Sequence, residues 1–198
     1  MKVSAHRPGR ESVIVDLFRE TFAASEGASE GASIGALVRD LLECTPAGDV
    51  RVFVAEDEAA EDGTPTAVAI FTRLSYVQDD RTVFLLSPLA VATARQGLGI
   101  GQELLGQALE ALRSDGVDVV VTYGDPAFYG KVGFAPLSQD MAQPPLPLSR
   151  PEGWLGRAVE ADGYAPLAGP STCVMALRDP DLWKGSGIGT SNRPDKAI

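Results

Sequence analysis

Residues 86–101 read LSPLAVATARQGLGIG and join an apolar segment to an amphipathic one. The apolar residues at positions 83–91 predict a buried strand. After a short polar turn, glycines at positions 97, 99 and 101 precede a stripe of apolar residues with helical spacing: Leu104, Leu105, Ala108, Leu109 and Leu112. Glycines at the start of a helix leave backbone N–H groups uncovered, and the helix dipole adds partial positive charge there. The stretch therefore predicts a strand, an anion-binding turn and a helix.

The spacing of these glycines excludes two common phosphate-binding motifs. A dinucleotide-binding turn has the pattern GxGxxG and is followed by an acidic residue at the end of the next strand. Here the third glycine position holds Gln102, and Asp118 stands at the beginning of the next strand. A P-loop requires a Gly-Lys-Ser/Thr triplet, which the chain lacks.

A second segment follows the predicted helix. Residues 117–122, VDVVVT, predict a strand because most of them are β-branched, and the sequence GDP at 124–126 predicts a turn. The pattern QxxGxG over residues 96–101 and the pattern FYxxxGF over residues 128–134 together resemble the GNAT superfamily of acyl-CoA-dependent N-acetyltransferases. The words SPLAV and GDPAFYGKVGF are most similar to its YhbS-like branch of bacterial proteins. The resemblance covers residues 83–134 with specific motifs and the flanks only by element order.

The resemblance implies an α/β (α+β) fold, the GNAT-like acyl-CoA N-acyltransferase fold. It has a mixed central sheet of about seven strands, flanked by helices and splayed between strands 4 and 5. The helix over residues 102–113 is a crossover between the strands at Val83 and Val117, so we expect parallel pairing only there. Pro88 lies inside the fourth strand, where proline cannot donate a ladder hydrogen bond, and it predicts a bulge or a splay.

The resemblance further implies acetyl-CoA as co-substrate, with its pyrophosphate on residues 96–101 and its pantetheine arm in the gap between strands 4 and 5. There the Leu89 N–H would polarise the thioester carbonyl, and Val91 would pair with the pantetheine amides. The residues expected to bind acetyl-CoA are Leu89, Ala90, Val91, Gln96, Gly97, Leu98, Gly99, Ile100, Gly101, Asp125, Ala127, Phe128, Tyr129 and Lys131.

Tyr129 and the backbone of Leu89 are the predicted catalytic groups. Tyr129 occupies the position at which many GNAT enzymes place a tyrosine near the CoA sulfur, and a phenol can donate a proton to a thiolate. The competing interpretation is that Tyr129 packs the short helix beside Phe128. Many relatives carry a basic glutamate on the fourth strand, but the aligned position here holds Leu85, and Ser87 is too weak a base. Either water relays the proton to a distant carboxylate, or the amine arrives neutral.

The implied reaction is transfer of an acetyl group to a primary amine of a small molecule or peptide, by direct attack in a ternary complex. Two alternatives stay open. One is a CoA-binding regulatory or degenerate module, and the other is a nucleotide-binding protein that uses the glycine-rich turn over residues 96–101, here called the glycine turn. The intact Tyr129 argues against the first and Gln102 against the second. The sequence leaves the acceptor and a homodimeric state undetermined.

Composition narrows the class of protein. A chain of 198 residues, 44% hydrophobic, can bury one core, which predicts one domain over residues 1–183 and a tail over 184–198. It has no membrane-length apolar run, residues 1–10 lack a signal-peptide core, and its two cysteines fit a reducing compartment. We therefore expect a cytoplasmic protein without a membrane partner. One histidine and no Cys/His cluster predict no metal.

The net charge of −10 disfavours nucleic acid as a partner. An acidic surface attracts a cationic amine, although the same charge also serves solubility.

The flanks predict further elements. The chain should begin with a strand over residues 2–5 and a helix over 11–23, and a second helix should span 34–43. Between these helices, the repeat ASEGASEGASIG of residues 24–35 predicts a loop, whose Glu26 and Glu30 either meet a substrate amine or are solvated.

The remaining segments predict a hairpin and a less regular C-terminal part. Residues 50–55 and 66–74 should pair as a hairpin with a solvated acidic tip. Residues 136–151 are too rich in proline for long regular structure, and residues 172–177 predict a last strand. The end of the chain, residues 185–198, should be loosely held.

Overall fold

The computed structural model describes residues 1–6, 8–57, 64–160 and 163–184. Within these ranges the strands are β1 (Lys2–Ala5), β2 (Val50–Glu56), β3 (Pro65–Tyr76), β4 (Val83–Val91), β5 (Val119–Tyr123), β6 (Ala135–Pro136), β7 (Trp154–Ala158) and β8 (Ser171–Cys173). The α-helices are α1 (Glu11–Glu26), α2 (Ala28–Cys44), α3 (Ile100–Ser114) and α4 (Pro126–Tyr129). Short 3-10 turns occupy Thr93–Arg95, Gly130–Val132, Pro151–Gly153, Met175–Leu177 and Pro180–Trp183.

The strands form one mixed sheet in the order β1-β2-β3-β4-β5-β7-β6, and β8 pairs with the end of β3. In the described ranges, only β4 and β5 are parallel, and α3 is the crossover that joins them. Every other pair in the described sheet is antiparallel. The predicted mixed sheet is confirmed, with eight described strands instead of about seven.

The sheet buries a different layer on each face because side chains alternate along its strands. One face packs against α3, whose apolar stripe meets side chains such as Phe53 and Phe71. The other face packs against α1, α2 and the C-terminal segment, with Phe18 and Trp183 among the completely buried side chains. Both faces of the sheet are therefore covered.

The loop predicted over residues 24–35 is wrong. α1 continues to Glu26, and α2 begins at Ala28. Gly27, with φ of 103°, is the single residue between the two helices. Alanine, serine and glutamate are compatible with helix, and a four-residue repeat is close to one helical turn. The repeat therefore places Gly31 and Gly35 on one buried face of α2, where the missing side chains let α1 approach.

The C-terminal segment is less regular than predicted. In place of the strand expected over residues 172–177, the structure has the short strand β8, which pairs with residues 74–76 of β3. A 3-10 turn over Met175–Leu177 follows it. Arg81 anchors this segment by donating hydrogen bonds to the carbonyls of Ala165 and Pro166, both at 2.7 Å. The same guanidinium holds the pKa of the Asp79 carboxyl well below its ordinary value.

Several sequence-based expectations have limited or no structural counterpart here. The tail over residues 185–198 and most of the acidic tip, residues 58–63, lie outside the described ranges.

No helix of the described part is long and apolar enough to cross a membrane. Cys44 is exposed, Cys173 is buried, and both are free thiols.

The contact between α1 and α2 generates a stability prediction. A Cβ at Gly31 would lie 2.5 Å from the Arg19 carbonyl oxygen and 2.7 Å from the Ala23 Cβ, so Gly31→Ala must push the helices apart. We expect Gly31→Ala to lower the free energy of unfolding by about 1–3 kcal/mol, despite the higher helix propensity of alanine. Urea denaturation measures this change.

Gly35→Ala is the matched control. Its Cβ would lie 3.4 Å from the Arg19 Cβ, an ordinary contact, so alanine should be neutral or stabilise by up to about 1 kcal/mol. Equal effects of the two substitutions would contradict the packing argument.

Candidate functional site

The bulge predicted at Pro88 is present in β4. Leu86 stands opposite Phe71 of β3, and Leu89 stands opposite Ala69. The two residues between them, Ser87 and Pro88, therefore face a single residue of β3, and their peptide bond is cis. Two residues opposite one is the definition of a β-bulge, and it changes the direction of the strand at this point.

Beyond the bulge, β4 separates from β5. The parallel pairing ends where Leu86 stands opposite Thr122, while β4 continues to Val91. The Thr122 hydroxyl donates a hydrogen bond of 3.1 Å to the Leu86 carbonyl at this last pair. Past this pair, β5 continues only to Tyr123 and β4 continues to Val91, so the predicted splay of the two strands lies after Leu86.

The backbone groups of β4 alternate in direction along this splayed part. The Ala92 N–H donates to the Thr66 carbonyl of the β3 segment at 2.8 Å, and antiparallel pairing makes every second residue point the same way. Ala90 therefore faces β3, whereas Leu89 and Val91 present their N–H and C=O groups to the gap. The Val91 carbonyl accepts a hydrogen bond of 3.0 Å from Gln96 Nε2, which is consistent with this carbonyl pointing away from β3.

The glycine turn leaves open space above its backbone. Gly97 and Gly99 have φ of 76° and 77°, which side-chain-bearing residues rarely adopt, and Gly99 is the N-cap of α3. Apart from the glycine and its two chain neighbours, no heavy atom of the described residues lies within 4 Å of the position that a Cβ would take at either glycine. Leu98 between them is 66% exposed, and Ile100 is half-buried. This open turn at the start of a 15-residue helix fits a phosphate group.

Gly101 has a different role from the other two glycines. It is buried, and a Cβ there would lie 3.2 Å from Val91 Cγ2 and 3.3 Å from Phe128 Cζ. The end of β4, the start of α3 and the short helix α4 therefore meet at this residue. Two sequence motifs that lie more than 20 residues apart are thus brought into one site.

Asp125 starts α4. Its carboxylate accepts a hydrogen bond of 2.8 Å from the Ala127 N–H, and Pro126 occupies the first turn. This is an N-cap, which satisfies a backbone donor at the helix start. Asp125, which was predicted to bind CoA, thus caps α4. Ala127 and Lys131, two other predicted CoA-binding residues of this segment, are exposed.

Tyr129 is enclosed by aromatic side chains. It is 2% exposed, and its ring centroid lies 5.0 Å from that of Phe128 and 5.6 Å from that of Phe134. The ring therefore does pack the short helix, as the competing interpretation requires. Its role as a proton donor stays a prediction, because packing and proton donation are compatible for a tyrosine.

The fourth strand offers no carboxylate base. Leu85 is completely buried in the layer below α1 and α2, and Ser87 is 2% exposed. Glu26 and Glu30 lie exposed at the α1–α2 connection, on helices and not on the predicted loop. No cluster of metal-ligating side chains occurs within the described ranges.

Sequence reasoning missed Arg157 on β7. Its Nη1 donates a hydrogen bond to the Val132 carbonyl, in the turn that follows α4. A lone arginine in the segment WLGRA carries no recognisable signal, and the segment itself was not expected to be a strand. Its proximity to the turn becomes visible only through the pairing of β7 with β5 and β6.

Comparison with known proteins gives relatives in sequence, of which two are described here. The family described as "Acetyltransferase (GNAT) domain" matches residues 48–136 of the chain. YjhQ from Escherichia coli K12, an uncharacterised N-acetyltransferase, is 30% identical over 67% of this chain and 78% of its own length. YhbS from the same strain, also an uncharacterised N-acetyltransferase, is 31% identical over 37% of this chain and 44% of its own length.

Solved structures share the fold. The crystal structure of Escherichia coli YhbS in complex with CoA has a TM-score of 0.74 at 23% identity and covers 96% of this chain and 95% of that one. A GNAT family acetyltransferase from Brucella melitensis, in complex with acetyl-CoA, has a TM-score of 0.67 at 21% identity, covering 89% of this chain and 97% of that one.

Proposed function

Because the chain belongs to the GNAT family of acetyltransferases, we propose that it transfers the acetyl group of acetyl-CoA to a primary amine of a small molecule or a peptide. The amine attacks directly while both substrates are bound. The observation that carries this proposal is the splay of β4 from β5, which directs the backbone of Leu89 and Val91 into a gap beside the glycine turn. YhbS and the Brucella protein, which share the fold, were crystallised with CoA and acetyl-CoA.

The glycine turn holds the pyrophosphate of acetyl-CoA. Backbone N–H groups at the start of α3 donate to the phosphate oxygens, and the helix dipole adds partial positive charge. The open space above Gly97 and Gly99 gives the phosphates room to approach the backbone. Gln96 is held over the turn by its hydrogen bond to Val91.

The gap between the strands holds the pantetheine arm and the thioester. Val91 pairs with the pantetheine amides as a neighbouring strand would. The Leu89 N–H donates to the thioester carbonyl oxygen and stabilises the negative charge that develops there during attack. As the C–S bond breaks, Tyr129 donates its phenolic proton to the departing thiolate. The acylated nitrogen then loses its extra proton to water, and a proton from water restores the phenol.

The substrate amine loses its proton without a base on β4. Moving an ammonium from water into the gap removes part of its hydration and disfavours its charged form. The pKa of the amine therefore falls on entry, and the proton leaves to water. We propose that the acceptor is cationic in solution, is attracted by the acidic chain, and reacts as the neutral amine.

Substitution of Gly99 tests the pyrophosphate site. Gly99→Val places a side chain in the space that the phosphates occupy and should weaken CoA binding at least tenfold, about 1.4 kcal/mol. Isothermal titration calorimetry measures the dissociation constant.

Gly116→Val is the matched control for this variant. Gly116 has a similar φ of 74° and lies beyond the far end of α3. Among the residues that the structure describes, none except its chain neighbours lies within 4 Å of its Cβ position. Valine should therefore impose similar backbone strain there without changing CoA affinity. Parental affinity of Gly99→Val would show that the phosphates bind elsewhere.

Tyr129→Phe tests the proton donor. Phenylalanine keeps the ring packing and removes the proton, so kcat should fall by about 10²–10⁴-fold while the CoA dissociation constant stays within a few-fold. Thiol release with an accepted amine, or slow acetyl-CoA hydrolysis, provides the assay. Tyr76→Phe, which removes a hydroxyl bonded to the Gln143 carbonyl, is the matched control and should retain kcat. Parental turnover by Tyr129→Phe would make the tyrosine structural.

The pH profile tests the absence of a base on β4. Without an enzymic base, kcat/KM follows the neutral fraction of the amine and should rise about tenfold per pH unit below the pKa of that amine. Amines of different pKa should shift the profile accordingly. A plateau at the same neutral pH for every amine would instead identify an enzymic base.

A further inference from the structure

Arg157 lies directly beside the turn that follows α4. Its Nη1 donates a hydrogen bond to the Val132 carbonyl. Three guanidinium atoms lie 3.2–3.5 Å from the position that a Cβ would take at Gly133, so a side chain there would displace Arg157. Gly133 also has φ of 84°, a conformation that favours glycine. The turn is thus shaped to receive this arginine.

The turn is tied directly to Tyr129. The Gly133 N–H donates to the Gly130 carbonyl, and the Phe134 N–H donates to the Tyr129 carbonyl, both at 3.2 Å. Phe134 also packs against the Tyr129 ring. A shift of the turn therefore moves the tyrosine backbone and one wall of its aromatic enclosure.

The segment that carries Tyr129 is fixed at both ends. At its start, the Asp125 carboxylate caps α4. At its end, Arg157 joins the turn to β7, and Arg157 itself stands opposite Val120 of β5 in the sheet. Because α4 has only four residues, its own hydrogen bonds contribute little rigidity, and the two anchors add to it.

We propose that Arg157 is a positioning residue that holds Tyr129 where it can protonate the departing thiolate. This inference rests on the proposed role of Tyr129. A charged donor makes a stronger hydrogen bond to a carbonyl than a neutral one, and the planar guanidinium fills the space beside Gly133. Displacement of a catalytic group by about 1 Å can cost about 10²-fold in rate.

Arg157→Met tests the proposal because it keeps the aliphatic stem and removes the donors. We expect kcat to fall about 10- to 100-fold while the acetyl-CoA dissociation constant stays within a few-fold. Arg157→Lys, which keeps the charge, should recover part of kcat and serves as the second variant if Arg157→Met does not fold. Arg113→Met, at a surface arginine paired with Glu110, is the matched control and should retain kcat.

A double-mutant cycle with Tyr129→Phe separates the two proposals. If Arg157 acts through Tyr129, Arg157→Met should cause no further loss of kcat in the Tyr129→Phe background. If Arg157→Met keeps the parental kcat while Tyr129→Phe is impaired, only the positioning role of Arg157 is overturned. Additive losses, or equal losses of kcat and CoA affinity, show a structural role and overturn it as well. Parental kcat of Tyr129→Phe overturns both proposals.

Discussion

The close contact at Gly101 is the constraint on which the site depends. Because this residue has no side chain, Val91 at the end of β4 and Phe128 of α4 both reach the first turn of α3. Phe128 in turn packs against Tyr129. The strand that faces the gap, the helix that offers its N-terminus and the helix that carries the tyrosine therefore pack together at one point.

Most of the proposed recognition uses the backbone. The glycine turn and the splayed part of β4 offer N–H and C=O groups whose direction is set by dihedral angles and strand register, not by side chains. Such a site tolerates extensive change of side chains, provided that the glycines and the bulge keep the geometry.

The parts of the fold that could be predicted are those with a local signal. β4, the start of α3 and the turn into α4 follow from an apolar run, glycines at alternate positions and an Asp-Pro helix start. The α1–α2 connection was missed because small residues are ambiguous: they permit a loop, but Gly31 shows that they also permit close helix packing. β7 and Arg157 were missed because their meaning depends on non-local pairing with β5 and β6, which no short window of sequence contains.

The lack of a carboxylate on β4 has a physical consequence for substrate choice. Leu85 is completely buried against the α1–α2 layer, where an ionised carboxylate would lose its hydration without an evident partner. Leu85 stabilises this layer as an apolar residue, but it cannot accept a proton from the amine. In the proposed reaction, a chain of net charge −10 attracts the ammonium, and the loss of hydration on entry lowers the pKa of the amine and favours release of its proton to water. For the proposed reaction, a moderately basic amine requires less free energy to become neutral than a strongly basic amine does.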